Sequence, residues 1–220
     1  MADKTTLKQE FLNLPNAITM ARIVVIPFFI LLTFYGDPIS SFWSAVIYAA
    51  AAISDVLDGE LARRRNLVTV LGKFLDPLAD KLIVMAALVM LVRLGRVASG
   101  LVIALLAREF IVTGLRSIAA SEGMVIAAGQ GGKWKTALQL TGIITLLVHY
   151  TYTLDFVFWK VEANFNRVGT WLLWLALIAS VVSAGQYIKG FFELVEVKHQ
   201  KAQAAGKPPV QEELRRVESA

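Results

Sequence analysis

The chain has no cysteine. That excludes disulfides and thiolate metal sites, so any bound metal must be held by oxygen or imidazole. Histidine is scarce as well: His149 and His199 are the only two, they stand far apart in no motif, and they read as surface or interface side chains. Between Tyr35 and Ala52 there is no lysine or arginine. Six prolines and fifteen glycines among 220 residues exclude a low-complexity chain. What is abundant is hydrocarbon. Hydrophobic residues make up 56% and the mean hydropathy is +0.60, above the roughly 45–50% of an ordinary soluble domain. These values point to an all-α integral membrane protein.

Read in order, residues 1–16 form a polar cytosolic or interfacial arm, 17–190 a membrane domain, and 191–220 a polar cytosolic tail, partly disordered past residue 204. Asn13-Leu-Pro15-Asn16 is a turn and helix start with Asn16 as candidate cap. The first span, 17–35, holds 19 residues, which at about 1.5 Å each nearly crosses a bilayer core. It starts late and lacks a small-residue cleavage site, so it is not a signal peptide. Gly36-Asp37-Pro38 is a turn, and further spans are expected over 39–58, 72–94 and 101–120, from the Gly131-Gly132 pair to about 152, and over 168–188. Residues 153–167, rich in aromatics, read as an interfacial loop, and Trp171 and Trp174 as belt or packing residues. With six spans and both termini cytosolic, the outer loops hold only Arg93, Arg96, Lys160 and Arg167 of the 22 Lys and Arg. That is the distribution the positive-inside rule favours, with a net charge of +5 placed mostly on the cytosolic side. No nucleic-acid partner is expected.

Four aspartates stand where hydrocarbon surrounds them: Asp55-Val-Leu-Asp58-Gly59-Glu-Leu-Ala62-Arg63, eight residues, then Gly72-Lys-Phe-Leu-Asp76-Pro-Leu-Ala-Asp80. A carboxylate in a membrane costs roughly 2.5–3.5 kcal/mol on insertion scales, so four together need a compensating cation. Asp55 and Asp58 share one helix face, and Gly72, Asp76 and Asp80 another. Antiparallel packing of the two helices would bring the four carboxylates to one point, an oxygen site suited to Mg²⁺ or Mn²⁺. Pro77 marks either a helix start near Asp76 or a mild kink. Charges elsewhere in the spans also require polar partners: Arg22, and Arg108, Glu109 and Arg116 in the fourth span. Arg22 reads either as snorkelling or as a lipid-phosphate contact. Arg108 and Glu109, being adjacent, are not expected to share a face, whereas Arg108 and Arg116 can. Gly131-Gly132-Lys133-Trp134-Lys135-Thr136 places two glycines ahead of a helix N-terminus with lysines in its first turn, a plausible phosphate cradle.

The pattern Asp-x2-Asp-Gly-x2-Ala-Arg-x8-Gly-x3-Asp-x3-Asp is the signature of the CDP-alcohol phosphotransferases, and the chain resembles that family over about residues 12–190. The resemblance implies attack by an alcohol on the lipid-side phosphate of CDP-diacylglycerol, expelling CMP, with two divalent ions and no covalent enzyme intermediate. It implies that Asp55, Asp58, Asp76 and Asp80 are metal ligands, with Asp80 also the general base. It implies that Gly59, Ala62, Arg63 and Gly72, with Thr19 and Arg22 from the opening stretch, surround the CDP-lipid. It further implies a homodimer among membrane lipids in the bacterial inner membrane, the active site facing the cytosol.

The acceptor is read from the surplus of cations. Arg108, Arg116, Lys133 and Lys135 exceed what a diphosphate needs, so the alcohol carries its own phosphate. Glycerol 3-phosphate fits, inositol phosphate fits nearly as well, and serine does not. Gly-Lys-x-Lys-Thr followed by Gln139, with Arg-Glu at 108–109 and Asp-Pro-x-Ala-Asp-Lys at 76–81, resembles the branch of the family that uses glycerol 3-phosphate. The alternatives are a cardiolipin or phosphatidylinositol-phosphate synthase type of the same family, and a metal or proton transporter, whose carboxylates usually lie near the midplane on separated helices.

Overall fold

The computed structural model describes residues 14–65, 70–121, 131–156 and 159–204, and their side chains except at 14–16, 55–65, 70–77, 131–133, 152–163, 198–199 and 201–204. Six helices follow one another: α1 Leu14–Tyr35, α2 Pro38–Arg65, α3 Val70–Arg93, α4 Ser99–Ser121, α5 Gly131–Val148 and α6 Phe165–Ala204. Between α5 and α6 stands an antiparallel hairpin, β1 Thr151–Phe156 and β2 Trp159–Asn164, where a loop was expected. Its strands put Leu154 opposite Val161 and Asp155 opposite Lys160. The β-branched and aromatic residues read as an interfacial loop are equally those that favour strands.

The bundle is apolar on both its surfaces. Phe29, Leu88, Leu91, Ile143, Leu146, Leu147 and Leu173 are fully buried, while Phe28, Leu31, Trp43, Ile103, Phe110 and Val182 are each more than half exposed. An exposed shell of this kind is costly in water but neutral in lipid, which is as apolar as the core itself. Two described helical segments, Ala17–Tyr35 and Phe165–Val197, are long and apolar enough to cross a membrane, and Pro38–Ser54 and Trp134–Val148 are shorter apolar stretches. Helix α6, at 40 residues, extends about 60 Å, twice the roughly 30 Å of a hydrocarbon core. It therefore continues well past residue 190, where composition turns polar.

Several boundaries differ from those read in the sequence. Helix α1 starts at Leu14, so Asn16 lies in its first turn instead of capping it. Helix α3 starts at Val70 and contains Pro77. Helix α5 starts at Gly131, so the glycine pair forms its first two residues and does not precede it. The sequence reads Asp37 as a turn residue and Asn164 as part of a loop, but both are caps: Asp37 Oδ2 accepts from the backbone N–H of Ile39 and Ser40 at 3.1 Å each, and Asn164 Oδ1 from that of Arg167 at 2.9 Å. Pro38 occupies the first position of α2, where its missing N–H is harmless. Hydrogen bonds from Ser40 hold the Asp37 carboxyl below the usual carboxylate range.

Helices α5 and α6 pack closely through glycine. A Cβ on Gly169 would meet Leu146 Cγ at 2.6 Å and the Gly142 carbonyl oxygen at 3.0 Å, whereas one on Gly185 would meet nothing within 4 Å. Gly169→Ala is therefore expected to cost about 1–3 kcal/mol through overpacking, seen as a lower melting temperature in detergent. Gly185→Ala should not lower it.

The end of the bundle where α1, α3 and α5 finish is tied by Arg96, which is buried. Its NH1 donates to the Leu147 carbonyl at 2.7 Å, and its NH2 to the Gly36 carbonyl at 3.0 Å and to Ser41 Oγ at 2.8 Å. Tyr150 Oη donates to the same Gly36 carbonyl at 2.8 Å. Gly36, at φ 70°, adopts the left-handed conformation that lets α1 turn into α2. Arg93 donates to the Phe34 carbonyl at 3.1 Å and lies over the Phe34 ring. Arg93 and Arg96 are thus cations at helix C-termini, where free carbonyls need donors.

Candidate functional site

At the opposite end, α1 to α5 enclose a cavity of about 180 Å³. Each helix supplies polar residues: Arg22 from α1, Tyr48 from α2, Asp80 and Lys81 from α3, Glu109 from α4, and Lys135 and Gln139 from α5. Helices α2 to α5 also supply an apolar wall of Ala52, Val84, Leu105, Leu106 and Leu140. The side chains are placed by helical periodicity. On α3, Ala79, Ile83 and Ala87 form the buried stripe, so Asp80 and Lys81, one and two residues on from Ala79, turn off it toward the cavity.

Glu109 is the hub of the cavity's charges. Lys135 Nζ donates to its Oε2, Arg108 NH1 lies 3.3 Å from Oε2, and Lys81 Nζ lies 3.5 Å from Oε1. Lys81 also donates to Thr113 Oγ1 at 2.6 Å, and Thr113 in turn donates to the Glu109 backbone carbonyl at 2.8 Å. Arg108 Nε donates to the Ser180 carbonyl at 2.9 Å, joining α4 to α6. One carboxylate is shared by three cations, so the cluster keeps a net charge of two positives.

The residues singled out from the sequence are placed unevenly. Arg22 and Thr19 are buried, Arg22 in the cavity wall, so Arg22 is not a snorkelling side chain. Asp80 is exposed and lines the cavity with Lys135, which is almost fully buried. Arg108 meets Glu109 although the two are adjacent, because the long guanidinium arm reaches a neighbour that helix periodicity alone sets apart. Arg108 does not line the cavity. Neither does Arg116, whose guanidinium lies 5.8 Å from the Tyr187 ring centroid between α4 and α6. Asp55, Asp58, Gly59, Ala62 and Arg63 belong to α2, Gly72 and Asp76 to α3, and Lys133 to α5, and their side chains lie outside the described residues. Helices α2 and α3 do touch, though each packs more extensively on α1. Among the described residues no group of three His, Cys, Asp or Glu side chains converges.

Sequence reasoning missed Lys81, Thr113 and Tyr48. The signal for Lys81 was available: a lysine inside an apolar helix needs an acceptor, as Glu109 needs a donor, and both stand within spans.

Comparison with known proteins bears on what such a cavity is for. The family model of CDP-alcohol phosphatidyltransferase matches residues 12–182. A CDP-diacylglycerol–glycerol-3-phosphate 3-phosphatidyltransferase of Bacillus subtilis is 39% identical over 199 residues, covering 85% of this chain and 99% of its own length. Proteins of the same name from Rickettsia bellii, 35% identical over 80% of this chain and 94% of theirs, and from Mycoplasma pneumoniae, 31% identical over 88% and 93%, are similar along nearly their whole lengths. That family is membrane-embedded and generally uses divalent metal ions. By the extent of these matches, the chain belongs to the CDP-alcohol phosphatidyltransferase family.

Proposed function

We propose that the chain transfers the phosphatidyl group of CDP-diacylglycerol to glycerol 3-phosphate, giving phosphatidylglycerophosphate and CMP. The observation that carries this reading is the cavity itself, where Asp80 shares one wall system with the surplus of cations around Glu109. The name borne by the relatives supports it.

In this scheme the acceptor's phosphate rests against Lys135, with Lys133 as a further cation; Arg108 acts through its ion pair with Glu109, and Arg116, over the Tyr187 ring, stands outside the cavity. The CDP-lipid lies along Thr19, Arg22, Gly59, Ala62, Arg63 and Gly72. Gly59 allows backbone approach to the cytidine, Ala62 allows close helix packing, and Arg63 offers phosphate oxygens a planar fork of donors. Asp55, Asp58, Asp76 and Asp80 would hold two divalent ions, Mg²⁺ or Mn²⁺. All-oxygen carboxylate donors suit these hard cations, and the absence of cysteine removes softer competition. When bound, the ions supply neutralisation of charge on the phosphate oxygens. Asp80 takes the proton of the acceptor hydroxyl, its oxygen forms the new bond to the lipid-side phosphorus, and the anhydride bond to CMP breaks.

The exposed apolar shell and the six helices support a six-span bundle; the charge distribution favours both termini and the cavity on the cytosolic side, and the family resemblance implies a bacterial inner membrane and a homodimer as the working unit. The test is CMP release by the purified protein with CDP-diacylglycerol, Mg²⁺ or Mn²⁺ and each acceptor in turn. Release with glycerol 3-phosphate, and not with phosphatidylglycerol, inositol phosphate or serine, is expected. Release with phosphatidylglycerol alone would make the chain a cardiolipin synthase.

A further inference from the structure

Three cations around one carboxylate is not a neutral arrangement, and the surplus sits inside an apolar bundle. Lys81, Lys135 and Arg108 all reach Glu109. Among the described side chains, the other charges of the cavity wall are Arg22 and Asp80, which leave the same excess of two positive charges. With Lys135 and Arg108 largely buried and Lys81 and Glu109 partly so, an excess of this kind attracts an anion that completes it. Glu109 itself is held in place: Thr113 bonds its backbone carbonyl, and Arg108 is anchored to the Ser180 carbonyl. Lys81 and Lys135 are the two cluster cations that line the cavity.

We propose that Glu109 is the resident anion of the acceptor site and sets which phosphate can enter. It holds Lys81 and Lys135 together when the cavity is free of substrate, and an incoming phosphate must take those two ammonium groups from it. A phosphate diester carries one negative charge, no more than Glu109 already offers, and gains little by competing. A phosphate monoester carries close to two at neutral to basic pH, matches the surplus, and enters. Lys81 is thereby a phosphate ligand, and Glu109 a positioning residue whose displacement sets a threshold that a monoester passes and a diester does not. The inference rests on the functional reading above, and deepens it by explaining why a phosphorylated small alcohol is accepted in preference to a phosphodiester headgroup.

The probes are methyl phosphate, a monoester, and dimethyl phosphate, a diester of nearly the same size. Their binding to the purified full-length protein at pH 8 is measured by calorimetry, which needs no turnover, and by competition against glycerol 3-phosphate in the CMP-release assay. The wild-type chain is expected to bind methyl phosphate and to bind dimethyl phosphate at least about tenfold more weakly, the factor that corresponds to one charge-assisted hydrogen bond. In Glu109→Gln, which keeps shape and hydrogen-bonding capacity, both probes should bind about tenfold more tightly, because neither then has to displace a carboxylate from the two ammonium groups. A role confined to packing would loosen the site for both probes. Lys81→Met should weaken methyl phosphate binding and raise the KM for glycerol 3-phosphate while leaving the KM for CDP-diacylglycerol unchanged. Equal binding of the two probes by the wild-type chain overturns the proposal, even should Glu109→Gln fail to fold. So does a folded Glu109→Gln in which neither probe binds more tightly, or a Lys81→Met variant in which both KM values rise together. A chain that shows the monoester preference in calorimetry yet releases no CMP with glycerol 3-phosphate would instead overturn the functional reading and leave the selectivity of the cluster standing.

Discussion

Asp80→Asn is expected to lower kcat for CMP release by about 10²–10⁴-fold, the range that a positioned general base contributes. The substitution is nearly isosteric and the side chain is exposed at the cavity, so the melting temperature should change little. The KM for CDP-diacylglycerol should stay within a few-fold, because the lipid's binding is assigned to other residues. An uncharged amide cannot accept the hydroxyl proton, and water, a much weaker base than a carboxylate, is a poor substitute for it. Turnover at the wild-type rate in Asp80→Asn would remove the base from this carboxylate. A rise in the KM for the CDP-lipid with kcat unchanged would make Asp80 a binding residue only.

The second large effect is on stability, at the other end of the bundle. Arg96→Met keeps the length of the side chain but leaves the carbonyls of Gly36 and Leu147 and the Ser41 hydroxyl without this donor. Hydrogen bonds to a charged group are worth about 1.5–3 kcal/mol each, and a stranded buried acceptor costs a similar amount. A loss on the order of 3 kcal/mol or more is expected, enough to bring much of the chain to a partly unfolded or aggregated form in detergent. Because Arg96 and the cavity lie at opposite ends, whatever fraction folds should keep the wild-type KM for both substrates. A variant as stable as wild type would show that these bonds are replaced by water. Arg93→Met should be milder, since Arg93 is exposed and donates to one carbonyl.

These two residues also mark what the sequence could and could not convey. Asp80 was found because a carboxylate among apolar residues contradicts its surroundings, and because the spacing of its neighbours matches a known signature. Arg96 was counted only as outer-loop charge. Its partners are backbone carbonyls of residues distant in sequence, Gly36 and Leu147, and no pattern of side chains announces a carbonyl. The helix count was legible from apolar run length, but which face of each helix turns inward was not. Phe28 is exposed and Phe29 fully buried, yet both are phenylalanine, because lipid and core ask for the same chemistry. The hairpin was hidden for a related reason: Thr151 and Tyr152 read as the end of the fifth span, and Phe156 and Trp159 fit an interfacial belt and a strand equally well. The extension of α6 beyond residue 190 follows from helix formers such as Glu193, Leu194 and Glu196, which polarity alone had assigned to a tail. At the cavity, Lys135 and Arg22 were identified from charge placement. The hub, Glu109, was seen only as a supporting partner, since its importance lies in collecting cations from α3, α4 and α5 at once.

The central claim is that the carboxylates of α2 and α3 gather divalent ions beside the cationic cavity. Anomalous diffraction from crystals of the protein grown with Mn²⁺ and CDP tests it most directly. The account predicts manganese peaks bounded by the side chains of Asp55, Asp58, Asp76 and Asp80. Carboxylates that point apart, or that are each neutralised by an arginine or lysine with manganese bound elsewhere, would contradict it.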